Sequence, residues 1–137
     1  MGLPIATTKG GICFAFPDVC MTPIGTSDVP VPYPNIGLLS EAKDVSDEEG
    51  KTVRVAGHYV ILHTSKIENT KGDEAGTKGV KSKTDVGGEV TFKIENNGSE
   101  TVKINGVSVI RMTDKTLQNN GNANGIVLGG IPNVRCG

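Results

Sequence analysis

ICFAFPDVCMTPIGTSDVPVPYPN, residues 12–35, concentrates Cys13, Cys20, Phe14, Phe16 and five of the chain's seven prolines. Pro17, Pro23, Pro30, Pro32 and Pro34 each fix φ, remove a donor N–H and bias the preceding residue toward extended geometry. The stretch is therefore expected to be neither helix nor central strand. Free Pro-rich linkers seldom carry Ile12, Phe14, Phe16, Val19 and Met21 so close together, so it is read as an ordered, extended strap lying on a β-core.

Beyond the strap, EAKDVSDEEGK (Glu41–Lys51) is charged and poor in apolar residues, which marks an exposed loop. TVRVAGHYVIL (Thr52–Leu62) and TVKINGVSVIR (Thr101–Arg111) then form an internal repeat of two short strands each. They are joined at Ala56-Gly57 or Asn105-Gly106, and Asn-Gly is the strongest two-residue hairpin signal because both positions must accept positive φ. Period-2 alternation puts Val102, Ile104, Val107 and Val109 on one face, and Val53, Val55, His58 and Val60 on the matching face of the first copy. His63 then points the other way, roughly 16 Å from His58 along a straight strand.

VTFKIE (Val90–Glu95) alternates as a half-buried strand, and GIVLGGIPNVRCG at residues 125–137 is a last strand with a glycine break, stopped or pushed to an edge by Pro132. Helix is limited to a short turn near Leu38–Lys43. With 19 glycines, few aromatics and no Trp, the 137 residues predict one small all-β domain with a thin Val/Ile core.

The formal net charge of −1 argues against a nucleic-acid surface. Lys66, Lys71, Lys78, Lys81 and Lys83 are interspersed with Glu68, Asp73 and Glu74 and read as a solvated loop. MGLPIATTKGG lacks the basic and apolar regions of a secretory signal, and the apolar runs, Tyr59–Leu62 among them, are far short of a membrane span. Synthesis and folding in the cytosol are expected, where cysteines are thiols or ligands more often than disulfides.

Three blocks carry a family resemblance. FPDVCMTP with VPVPYPN, then GDEAG at Gly72–Gly76, then VKINGVSVIRMTD at Val102–Asp114 occur in the order found in the PAAR-like (Tox-PAAR-like) family of type VI secretion spikes. The resemblance rests on Phe16, Pro17, Asp18, Cys20, Pro23, Pro32, Tyr33, Pro34, Asn35, Asn105, Gly106, Arg111 and Asp114.

It implies a compact, cone-like, pseudo-threefold β structure. Such a chain caps a trimeric VgrG-type spike, one copy per trimer, is exported with it from the cytoplasm, and needs no catalysis. Effectors or adaptors are implied as further partners. A small β adaptor that carries cargo without forming the apex is the alternative. With the strap starting at Ile12 and the last strand ending at the final residue, no attached effector domain is expected. Tyr33, Ile36, Leu38 and Leu39 are the apolar anchors expected to meet the spike.

The resemblance also raises zinc, which PAAR tips commonly hold through histidine and cysteine. Cys13, Cys20, His58, His63 and Cys136 suffice in number, but their spacing makes no known ligand motif, and Met112, Gln118, Asn120 and Thr77 stand where relatives carry histidine or cysteine. The favoured expectation is that Cys13 and Cys20 are small buried hydrophobes pinning the strap. A nucleophilic Cys20, with a histidine base and Asp18 or Asp114 to orient it, has no local motif behind it.

Overall fold

The computed structural model describes residues 2–43 and 53–137. From residue 44 on, the charged stretch expected to be an exposed loop lies outside the described residues, as does Thr52. The strands are β1 (Leu3–Ile5), β2 (Ile12–Ile24), β3 (Ser27–Leu38), β4 (Ala42–Lys43), β5 (Arg54–Val55), β6 (His58–Tyr59), β7 (Lys66–Ile67), β8 (Lys78–Gly79), β9 (Val90–Thr91), β10 (Lys103–Ile104), β11 (Val107–Ser108), β12 (Lys115–Gln118), β13 (Ala123–Leu128) and β14 (Ile131–Cys136). A 3₁₀ turn at Leu39–Glu41 is the one helical element among the described residues, and none of their helices is long and apolar enough to cross a membrane.

The strap is a long antiparallel hairpin, and one expectation for it fails: β2 is a central strand. It lies between β3 and β13 in a sheet ordered β3-β2-β13-β12-β9-β7-β4, with β8 also pairing to β2. The prolines permit this because of where they fall. Pro17 follows a cis peptide inside the irregularity between Ala15 and Asp18, where ladder pairing is interrupted. Pro30, Pro32 and Pro34 sit at every second position of β3, in phase with Ile36, whose N–H points away from β2 to the carbonyl of Lys71 at 2.8 Å. Their missing donors therefore face the open edge, where no ladder bond is lost.

The repeated hairpins form as expected, β5 with β6 and β10 with β11. Both turns have two positive φ angles, Ala56 (53°) with Gly57 (81°) and Asn105 (51°) with Gly106 (81°), so Ala56 takes the conformation that Asn105 takes more readily. The C-terminal segment is not a single strand. Across Gly129-Gly130 it becomes β13, central in the large sheet, and β14, which pairs with β1 through Leu3↔Cys136 and Pro4↔Arg135.

That last pair is the third copy of the hairpin, assembled from residues some 130 positions apart. Its place is fixed by a closed ring of backbone hydrogen bonds: Ala6 N–H to Ile110 O (2.9 Å), Ile110 N–H to Ile61 O (2.8 Å) and Ile61 N–H to Ala6 O (3.0 Å). A second set repeats the pattern two residues out, Thr8 to Tyr59, His63 to Ser108 and Met112 to Pro4. Isolated bridges Ile5↔Arg111, Thr7↔Val60 and Leu62↔Val109 obey the same permutation. The segments around Ala6, Ile61 and Ile110 are thus related by a pseudo-threefold axis.

Alternation along these segments sorts side chains into two cores. Ile5, Val60 and Val109 join Val55, Ile104 and Cys136 beneath the three hairpins. Ala6, Ile61 and Ile110 face the other way and pack with Cys13, Leu39, Ile67, Val90, Phe92 and Val127 against the inner face of the large sheet.

Candidate functional site

The outer face of that sheet is apolar and open. Register places Leu38, Ile12 and Leu128 in one cross-strand row and Ile36, Phe14 and Ile126 in the next, all on the side opposite buried Cys13, Ala15 and Val127. Ile126 is 40% exposed, Leu128 37% and Phe16, at the bulge, 59%. Phe14, Phe16, Leu117 and Ile126 line a shallow groove of about 640 Å³. Contiguous exposed apolar residues on a sheet face mark an interaction surface more often than chance exposure.

The four expected anchors do not form one patch. Ile36 and Leu38 belong to the open face. Tyr33 pairs opposite Asp18, so it faces the other side, and its hydroxyl is 2.6 Å from Thr22 Oγ1. Leu39 is fully buried in the core and meets no surface.

On the inner side, the strap and the Gly72–Gly76 block meet in a buried polar knot. The loop from Lys71 to Gly79 starts on the outer edge of β3, at Ile36, and ends on the far edge of β2, where Gly79 pairs with Cys20. It therefore crosses the β2–β3 hairpin and sets Asp73 over Asp18 and Asn35. Close approach requires its glycines: a Cβ at Gly72, with φ +114°, would lie 2.4 Å from Pro34 O, and one at Gly76 would lie 2.8 Å from Cys20 Cβ.

Asp18 is fully buried, and its carboxylate accepts from the side-chain amides of Asn35 (3.2 Å), Asn119 (3.1 Å to each oxygen) and Asn122. Asn35 also donates to Thr70 Oγ1 (2.9 Å) and Asp73 Oδ2 (3.3 Å), while Gln118 donates to Asn35 O and Oδ1 at 3.0 Å. Asp73 Oδ2 accepts from Gly87 N–H at 3.2 Å. Burial and the neighbouring Asp18 carboxyl push Asp73 up to about 6.

Asn119 and Asn122 were not singled out by the sequence, and Gln118 was noted only as a position where relatives carry histidine. Their only signal was polar residues at Thr116 and Gln118 on the strand face where neighbouring strands place Ala15 and Cys13.

Asn105 and Gly106 form the hairpin turn, and Arg111 forks onto Asp114 through Nε (3.2 Å) and Nη2 (3.0 Å), closing the turn after the third ring segment. Pro23 and Pro32 lie in the β2–β3 ladder. These motif residues are structural.

The histidines and cysteines proposed as zinc ligands are dispersed. Cys13 is in the lower core, and burial pushes its thiol up to about 12. Cys136 occupies the pseudo-threefold position of Val55 and Ile104, a small hydrophobe among hydrophobes. His58 is half-buried in β6, and His63 Nε2 is 2.9 Å from Ile94 O. Among the described residues the one potential ligand group is Asp18, Cys20 and Asp73, so a histidine–cysteine zinc site does not fit this chain. Burial and the Asp18 and Asp73 charges likewise push Cys20 up to about 12, the reverse of an activated nucleophile.

Sequence comparisons agree with this arrangement. The model of the toxin PAAR-like domain family matches residues 11–125, which include the strap, the ring segments at Ile61 and Ile110 and the amide-rich segment. A DNase toxin, Tse7, of Pseudomonas aeruginosa is 33% identical over 129 residues, covering 87% of this chain. The chain spans only 31% of that toxin's length. No solved structure matches. With its strap and Gly72–Gly76 loop joined in one knot and its repeats closed about one axis, the chain belongs to the toxin PAAR-like domain family.

Proposed function

We propose that this chain is a non-enzymatic cap, seated as one copy on the blunt end of the trimeric VgrG-type spike of a type VI or related contractile injection system. The observation that carries this reading is the closed ring Ala6–Ile110–Ile61, which gives a single chain three equivalent sides. A monomer with a threefold axis is matched to a threefold partner, because each equivalent side can meet one subunit and cover one open strand edge. The outer sheet face of Ile12, Phe14, Ile36, Leu38, Ile126 and Leu128 supplies the apolar contact. Assembly takes place in the cytoplasm, and the cap leaves the cell with the spike.

The DNase toxin relative, in which the matching region is about a third of the chain, supports a place beside a toxin cargo. The cap reading is tested by mixing the protein with a trimeric spike and measuring the complex mass by size exclusion with light scattering. One copy per trimer is expected. Three copies per trimer, or a complex retained only through a cargo protein, would replace the cap with an adaptor. Within the complex, Phe14→Asp with Ile126→Asp should abolish binding while circular dichroism stays unchanged.

A further inference from the structure

Asp18, Cys20 and Asp73 each offer one ligand atom, and these atoms lie within 4.8 Å of one another with all three side chains buried. Two ionised carboxylates at such range repel strongly, and burial without a cation magnifies the repulsion. The ion pairs among the described residues, Lys43–Glu68, Lys66–Glu89 and Arg111–Asp114, involve none of the three. Asp73 is fully buried, yet its Oδ1 has no hydrogen-bond partner. A buried carboxylate oxygen left bare inside an otherwise satisfied network points to a missing electrophile.

The surrounding donors are arranged for negative charge on sulfur as well as oxygen. Asn119 and Asn122 direct their amide N–H groups at Asp18 and lie 3.8 and 4.0 Å from Cys20 Sγ. Neither amide can reverse, because Asn119 Oδ1 accepts from Gly88 N–H (2.9 Å) and Asn122 Oδ1 from the N–H groups of Lys81 (2.8 Å) and Ser82 (3.0 Å). Cys20 Sγ and Asp18 Oδ1 are 3.6 Å apart. Sulfur and oxygen bound tetrahedrally to zinc at about 2.3 and 2.0 Å are separated by about 3.5 Å.

We propose that Asp18, Cys20 and Asp73 form a buried site for one divalent transition ion of the zinc type. Binding forms a metal–sulfur bond as the Cys20 thiol releases its proton to solvent, and the two carboxylates and the thiolate supply three ligands, leaving one tetrahedral position for water. Calcium and magnesium are excluded by the thiolate, a soft ligand. The ion ties the strap to the Gly72–Gly76 loop, so its role is structural, and the site stands whatever surface the protein caps.

The test is metal analysis of the purified protein, followed by Co²⁺ titration of chelator-treated, folded protein. One equivalent of Co²⁺ should bind with a thiolate-to-cobalt charge-transfer band, bleached by Zn²⁺. The band should persist in the Cys13→Ser, Cys136→Ser double variant, disappear in Cys20→Ser, and require at least ~10-fold more Co²⁺ in Asp73→Asn. A folded wild-type protein with no such band overturns the site, as does a band that survives Cys20→Ser. If Cys20→Ser fails to fold, the wild-type and double-variant spectra still decide. An Asp73→Asn protein that melts above chelator-treated wild type, with no cobalt bound by either, would show that a shared proton closes the pair instead.

Discussion

Beneath the three hairpins, Ile5, Val60 and Val109 fill equivalent positions with hydrocarbon, whereas beneath the strap Asp18 is held by amides from Asn35, Asn119 and Asn122. The first region repeats one solution three times and tolerates variation in it: Cys136 stands where the other copies have Val55 and Ile104. The second has no copy, and its donors come from three different positions in the chain. Symmetric apolar packing gives the chain three equivalent sides, and the asymmetric polar knot fixes a single way of laying the strap across them.

The sharpest break in this comparison is Asp18→Ala, which removes an acceptor shared by three buried amide groups and should cost about 3–5 kcal/mol, read as a collapse of the denaturant midpoint. Ile61→Ala and Ile110→Ala should each cost about 2–5 kcal/mol. Because the two sites are pseudo-equivalent, their losses should agree to within about 1 kcal/mol, and a wider gap would mean that the ring's symmetry is not energetic.

Smaller effects belong to the turns. Gly106→Ala should destabilise by about 1 kcal/mol through its φ of 81°, since no atom lies within 4 Å of the added Cβ. Ala56→Asn should stabilise by about 0.4–1 kcal/mol, by giving the first hairpin the residue that already suits the second. Smallest of all, Phe16→Ser on the open face should leave thermal stability within about 0.5 kcal/mol of wild type. Under the proposed cap role its effect should appear in spike binding alone, and a large stability loss would show that the face is not free.

What was legible in the residues follows the same division. Local signals were read directly: Asn105-Gly106 and its weaker twin Ala56-Gly57 as hairpin turns, and the 3₁₀ turn after Leu38. The alternating prolines of β3 correctly marked an extended segment, but denying the whole strap a central strand overlooked that β2 carries only Pro17 and Pro23, the first inside a bulge. The third hairpin was hidden because β1 and β14 share no stretch of sequence, and its second arm is disguised by Pro4. Of the site, Asp18, Asn35, Cys20 and Asp73 stood in quoted motifs, but nothing in their spacing announces that Asn119 and Asn122, a hundred residues on, turn inward to meet them.

The pairing of β1 with β14 also sets an order of events as the protein is made. Local hairpins can form within microseconds of leaving the ribosome, whereas Ala6 cannot join Ile110 and Ile61 in a stable ring until Ile131–Cys136 exists to hold Leu3–Ile5 in place. The Leu3–Ile5 strand must therefore wait, unpaired, until Ile131–Cys136 has been translated. In pulse-labelled hydrogen exchange during refolding, the amides of Val107 and Ser108 should gain protection before that of Ala6, and simultaneous protection would mean that the ring closes in one step.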